Sequence, residues 1–273
     1  MTKPRVYKTE GIVLKRNNLG EADNIITVYT PNLGKLKAIA KGARRLKSKL
    51  GGHLDLLTQS SLLLAQGQNL DVITQSQTVE SFPLLRNDLW RTSCALYVAE
   101  LVDQFTPEHV ENYPVYKLLQ TTLLWLCEAR DKELVLRYFE LHLLNYLGYK
   151  PELYQCLNCR ASLTLRANLF SFSASGGGVL CANCAGKESS VCSISVDALK
   201  VMRFLLNSDH TSARKLRVKH SLSCELERLM REYIRYILEK ELKTAEFMTR
   251  LRRECTITDA SVYCAGYLSR STT

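Results

Sequence analysis

Asn24-Ile25-Ile26-Thr27-Val28-Tyr29-Thr30-Pro31-Asn32-Leu33-Gly34-Lys35-Leu36-Lys37-Ala38-Ile39-Ala40-Lys41 is the stretch on which the fold turns. Two runs rich in Ile, Val, Thr and Ala flank Pro31-Asn32-Leu33-Gly34, a turn with Pro and Gly at opposite ends. The reading is a β-hairpin. Outward from it, Val6 to Lys15 precedes and Leu54 to Leu64 and Leu70 to Val79 follow, the last two joined by Gln66-Gly67-Gln68-Asn69. Five short strands with hairpin-like spacing predict a small barrel or open sandwich over residues 1–80. Side chains alternate across a strand. In the run from Lys35 to Lys41, the even positions Leu36, Ala38 and Ala40 suit a core. The odd positions set Lys35, Lys37 and Lys41 on the other face as a ridge, at intervals of roughly 6.6 Å or a multiple of it.

The charge of this segment is as distinctive as its pattern. The chain has 273 residues and a formal charge of +10, which favours polyanionic partners. No acidic residue lies between Asp23 and Asp55, while Lys35, Lys37, Lys41, Arg44, Arg45, Lys47 and Lys49 all do. Such a cluster repels itself unless an anion sits against it. Neutralised phosphates release counterions, so contact with about six of these groups predicts a log K against log salt slope near −4 on single-stranded DNA. Nothing specifies a base sequence. Tyr7, Tyr29 and His53 could stack on bases, although the two tyrosines are expected to be partly buried strand residues.

From Leu84 the apolar period changes to three and four. Helices are predicted at Leu89 to Phe105, Val115 to Ala129, Glu133 to Leu147, Val196 to Leu206 and Leu222 to Leu242. The fold class is therefore α+β: a β domain followed by a helical domain over 81–253. Inserted at 154–187 is a cysteine module. Cys156-Leu157-Asn158-Cys159 and Cys181-Ala182-Asn183-Cys184 are two C-x-x-C pairs, each able to form a knuckle offering two thiolates to one metal. Four thiolates complete a tetrahedron around one structural Zn²⁺, leaving no open position for water or substrate. Leu169 to Ser173 and Gly176-Gly177-Gly178 between them read as a strand and turn, as in a zinc ribbon. Arg160 and Lys187 flank the knuckles and would offset their charge. Cys94 and Cys127 read as core residues, and Cys192, Cys224, Cys255 and Cys264 as ordinary thiols. Residues 254–273 read as a poorly ordered tail.

The exclusions narrow the function. The uncharged stretch Leu56 to Leu70 has 15 residues and is too short and polar to span a bilayer. No secretory signal is visible, so the cytoplasm is the expected compartment, which argues against disulfides. There is no P-loop, no G-x-G-x-x-G, no H-E-x-x-H and no deaminase pattern. The β domain offers six scattered acids, too few and too dispersed for a two-metal nuclease. The residues point to a non-catalytic nucleic-acid binder. An RNA-binding accessory factor or a metal-dependent nucleic-acid enzyme are the alternatives.

Gly11-Ile12-Val13-Leu14-Lys15, Gly20-Glu21-Ala22-Asp23, Thr30 through Gly34, and Ala38 through Arg45 with Lys47-Ser48-Lys49-Leu50 together resemble the start of the bacterial recombination mediator family RecO. Arg137-Tyr138-Phe139-Glu140-Leu141 through Leu147-Gly148-Tyr149-Lys150-Pro151, leading into Cys156 and Cys159, is similar to that family too. The resemblance covers about residues 5–250. It implies an N-terminal OB-fold, a helical C-terminal domain and a zinc module. It also implies binding of single- and double-stranded DNA, strand annealing, and loading of RecA onto DNA coated by single-strand-binding protein (SSB) in DNA repair by the RecF pathway. Implied partners are RecR and the acidic C-terminal tail of SSB. Lys35, Lys37, Lys41, Arg44, Arg45, Lys47 and Lys49 carry over as DNA contacts and the four knuckle cysteines as metal ligands. Arg203, Arg214, Lys215, Arg217 and Lys219 are candidate cations for the acidic tail.

Overall fold

The computed structural model describes residues 5–164, 169–186, 188 and 190–254. The tail reading of 255–273 and the Lys187 reading fall outside the described residues. Five strands form the N-terminal unit: β1 (Val6–Leu19), β2 (Asp23–Thr30), β3 (Gly34–Ala40), β4 (Gln59–Ala65) and β5 (Asp71–Glu80). They close into a barrel in the order β1-β2-β3-β5-β4. β3 and β5 pair in parallel, Ala38 opposite Asp71, and β4 returns antiparallel to β1. This closed five-stranded arrangement is OB-like. Val13, Ile26, Val28, Leu36, Ala38, Leu62, Leu64 and Ile73 fill its interior.

β4 begins at Gln59, later than the sequence run from Leu54 predicts. Leu54 and Leu57 are buried, but in the loop leading to the strand, which includes a 3-10 turn at Gly51–His53. Their apolar character reflects plugging of the barrel and its neighbour, not a strand. Tyr29 is fully buried and cannot stack on a base. Tyr7 is half-buried, its hydroxyl donating to the Asp71 carboxylate.

The helical unit contains α1 (Leu89–Phe105), α2 (Tyr113–Glu128), α3 (Lys132–Tyr146), α4 (Ala182–Ala185), α5 (Val196–Asn207), α6 (His210–Ala213) and α7 (His220–Leu238), followed by helical residues 243–254. Local chemistry sets the starts. The side chains of Asp88, Asn112, Asp131 and Ser195 accept first-turn backbone N–H bonds, satisfying donors the helix itself cannot. α7 stops at Leu238, short of the predicted Leu242. Glu239 turns to a left-handed φ of 55° and Leu242 is buried after the reversal, so the apolar stripe continues through a bend.

β6 (Leu169–Ser173), β7 (Gly178–Leu180) and β8 (Cys192–Ser195) form a three-stranded antiparallel sheet with β6 central. β6, the turn and β7 match the predicted ribbon hairpin. β8, an addition to that reading, is only four residues long and carries no alternation a sequence could show.

The barrel and the helices share a core. Ile12, Leu14 and Tyr29 leave the barrel interior and join the cluster built by α1, α2 and α3. β2 is consequently buried on both faces from Ile26 to Thr30. Gln120 Nε2 donates to Gln59 Oε1 at 2.9 Å across the boundary, and Arg86 Nη2 donates to Leu56 O at 3.1 Å. At Gly34, with φ of +62°, a Cβ would sit 1.9 Å from Val110 O. Only glycine permits that approach.

Candidate nucleic-acid interface and metal centre

The cationic segment divides into two parts. On β3 the outward face does not look into solvent at its first position. It abuts the segment after α1, where His109 N donates to Lys35 O at 2.8 Å. Lys35 is buried, and its Nζ donates to Asp103 O and lies 3.3 Å from Asp103 Oδ1. Lys37 is half-exposed and pairs with Glu108 Oε1 at 2.5 Å. Hydrogen bonding to Glu108 raises the Lys37 pKa, and the same bond holds the Glu108 carboxyl below its ordinary value. The expected three-headed ridge is therefore corrected. Lys35 is a clamp between the two units, Lys37 is already neutralised, and Lys41 is the ridge member left in solvent. The physical reason is that carboxylates distant in sequence meet β3 when the barrel docks.

Beyond Ala40 the charge is free. Lys41, Arg44, Arg45, Lys47 and Lys49 are exposed, with no ion-pair partner among the described residues. Their loop is braced. Gly42 N donates to Asp23 Oδ1 at 2.7 Å and Arg44 N to Ala22 O at 2.9 Å. Within the loop, Arg45 N donates to Gly42 O and Ser48 N to Arg45 O, at 3.1 and 2.9 Å. Arg44 Nη1 reaches Gly20 O at 3.2 Å. The Gly20–Asp23 turn thus braces the basic loop, whose five cationic side chains are exposed. A fixed set of cations can meet phosphates without first losing much chain entropy.

In the helical unit, Cys156, Cys159, Cys181 and Cys184 place their sulfurs within 4.8 Å of one another. Cys159 Sγ and Cys181 Sγ are 3.8 Å apart. Tetrahedral Zn–S bonds of about 2.3 Å require sulfurs about 3.8 Å apart. The donor set therefore fits zinc, and the four cysteines could hold such an ion. Burial raises the Cys156 thiol pKa, but N–H groups of Cys181, Cys159 and Asn158 outweigh it and bring the value to about 6. Cys184 is pushed up to about 12, first by its hydrogen bond with Cys181. The Cys156 thiolate forms readily while Cys184 keeps its proton; a divalent cation would replace that proton.

The surroundings fix this cluster. Leu157 N donates to Val179 O at 3.0 Å, and Glu152 N to Gly177 O at 2.9 Å, tying the first knuckle to the hairpin. Arg160 adopts φ of 58° as the chain leaves that knuckle. Arg203 donates to Leu153 O from Nε at 3.0 Å and Nη2 at 2.5 Å, and lies 4.7 Å over the Tyr154 ring. Arg203 is a scaffold residue, which corrects its reading as a cation open to a partner. Arg214 is likewise paired, to Glu128 at 2.6 Å. Lys215, Arg217 and Lys219 are exposed. Glu227 holds Arg252 at 2.6 Å, while Arg231 turns to Glu241 at 3.4 Å.

A buried polar network was not visible in the sequence. Glu140, fully enclosed, accepts from Tyr97 Oη at 2.7 Å and Arg137 Nη2 at 2.5 Å, joining α1 to α3. Burial raises its pKa. This cluster is structural: the charges of the Arg137–Leu141 motif point into the core. No described helix is long and apolar enough to cross a membrane.

Similarity to known proteins agrees with this division. Residues 1–82 match the family model described as "Recombination protein O N terminal", and residues 86–246 the one described as "Recombination protein O C terminal". A protein of Roseiflexus sp. (strain RS-1) described as "DNA repair protein RecO" is 41% identical over 251 residues, covering 92% of this chain and 88% of its own. One of the same description from Dehalococcoides mccartyi is 40% identical over 253 residues, with 93% and 99% coverage. Another, from Desulforamulus reducens, is 37% identical over 247 residues, with 90% and 95% coverage. With the two family models matched in order along the chain and relatives about 40% identical over most of it, the chain belongs to the RecO family of DNA repair proteins.

Proposed function

We propose that this chain is a non-catalytic recombination mediator that binds single- and double-stranded DNA through the loop bearing Lys41, Arg44, Arg45, Lys47 and Lys49. The observation that carries the reading is five exposed, unpaired cations on one braced loop. They meet backbone phosphates and carry no base information. Two strands held this way repel each other less, so complementary strands pair. In the cytoplasm, where thiols stay reduced, the protein would anneal strands and help RecA onto DNA covered by SSB, together with RecR. Lys215, Arg217 and Lys219 remain open to the acidic C-terminal tail of SSB. One zinc ion held by the four cysteines would clip the knuckles to the hairpin, a structural role with no reaction step.

The test mixes complementary strands precoated with SSB and follows pairing by fluorescence. Annealing is expected to be fast at low salt and to collapse in an Arg44→Glu/Arg45→Glu variant with an unchanged melting temperature. Normal annealing by that variant would reject the assignment.

A further inference from the structure

We propose that the outer face of β1, β4 and β5 carries a separate, single-strand-specific stretch of the DNA path, continuing from the basic loop. The inference rests on the reading that this loop grips phosphates, and adds a site that the loop does not include. A groove of about 720 Å³ opens there, lined by Lys8, Lys49, His53, Ser61, Gln75 and Gln77 among others. Lys49, the last cation of the basic loop, stands at its edge. A strand leaving the loop therefore has a continuous polar track ahead of it.

The register explains why these side chains converge. Lys8 lies opposite Leu63, and Leu63 opposite Gln75, so the three form one cross-strand row. Glu10, Ser61 and Gln77 form the next row on the same face. Gln75 and Gln77 are both exposed and two residues apart, about 6.6 Å along the strand. An extended, unstacked strand can match that interval, whereas a stacked duplex repeats every 3.4 Å or so along each strand. An amide offers both donors and an acceptor. It can satisfy base edges that are free in a single strand and occupied by the complementary base in a duplex.

The wall of the groove is fixed in advance. His53 Nδ1 accepts from Thr78 N–H at 3.3 Å and lies 2.8 Å from Thr78 Oγ1. The ring proton therefore belongs to Nε2, leaving a donor for the groove the ring lines. His53 O accepts from Ser60 Oγ at 2.5 Å and from Ser76 Oγ at 3.3 Å. No carboxylate lines the groove. The nearest acid on that face of β1, Glu10, is engaged by Gln59 Nε2 at 3.3 Å. In the groove itself a polyanion meets two ammonium groups and neutral hydrogen-bonding groups, with the Glu10 carboxylate beside Ser61 at its margin.

The experiment uses the full chain and fluorescence anisotropy of one labelled deoxyoligonucleotide, alone and as a duplex, at fixed salt. Gln75→Ala/Gln77→Ala is expected to weaken single-strand binding about tenfold, the loss of two neutral hydrogen bonds, and duplex binding less than about twofold. Its salt slope should not move, because no charge is removed. Lys8→Gln should lower the single-strand slope by about 0.7. Equal losses on both substrates, or none on the single strand, would overturn the proposal while leaving loop binding intact. Failure of the unaltered protein to bind either substrate would instead overturn the function proposed above, and this inference with it.

Discussion

If DNA binds through the basic loop, salt dependence separates the cations that meet it from those the fold has already used. Seven basic residues lie between Asp23 and Asp55 in addition to His53, but Lys35 and Lys37 are held by Asp103 and Glu108. If the five free ones each meet a phosphate, the slope on single-stranded DNA is about −3.5; all seven would give about −4.9. Between about 50 and 200 mM salt the first figure weakens affinity by about 130-fold, the second by about 900-fold. Anisotropy titrations of a labelled single strand across that range distinguish them. Single substitutions refine the answer. Lys41→Gln or Lys49→Gln should each reduce the slope by about 0.7. Lys35→Gln should leave it unchanged while costing about 2–4 kcal/mol of stability, since it strands a largely buried carboxylate. The reasoning is refuted if Lys35→Gln flattens the slope without lowering the melting temperature.

Two further outcomes are expected. Protein purified without chelator should contain about one zinc per chain by elemental analysis, and Cys184→Ser should contain almost none, with faster amide exchange in 169–186; a metal-free wild type rejects the clip. Asp88→Ala should cost about 1 kcal/mol, because its carboxylate caps α1 through Trp90 N and Arg91 N. Burial raises the Asp88 pKa, but the Lys132 hydrogen bond and the cap bonds outweigh it and hold it below 3.8. A lowered carboxyl pKa adds stability that is complete above about pH 4 and lost as pH falls through the folded value. Asp88→Asn should keep the cap and remove that acid-side loss, as measured by denaturant melts across pH.

The elements were legible where local chemistry alone decides them. α1 occupies the predicted span because Asp88 caps its start and Thr106-Pro107 follows its end. The knuckles were legible because four cysteines at two fixed spacings are a local pattern, and the fold brings their sulfurs together. What escaped depends on partners far along the chain. No spacing within β3 could reveal that Asp103 and Glu108, nearly seventy residues away, would take Lys35 and Lys37. The groove on β1, β4 and β5 escaped for another reason. Its Gln and Ser residues are neutral, so the charge pattern that exposed the basic loop passes over them, and only the barrel's closure brings Lys8 into one row with Leu63 and Gln75.

One signal of docking was nevertheless present. From Ile26 to Thr30 the run is apolar or β-branched at nearly every position, where a strand with one wet face would alternate. Burial on both faces means that something covers the outside of β2, and the only unit available to this chain is the helical one. Once that cover is in place, the face of β3 beside it must approach α1, which buries Lys35. The loop after Ala40 lies past the contact and keeps its charges. The boundary between cations held in the fold and cations left in solvent is thus set by where the helical unit ends against the barrel, not by the spacing of the lysines. A substitution that loosens the docking should therefore release Lys35 and Lys37 to solvent and steepen the salt dependence even as stability falls, a pairing of effects that simple loss of fold does not produce.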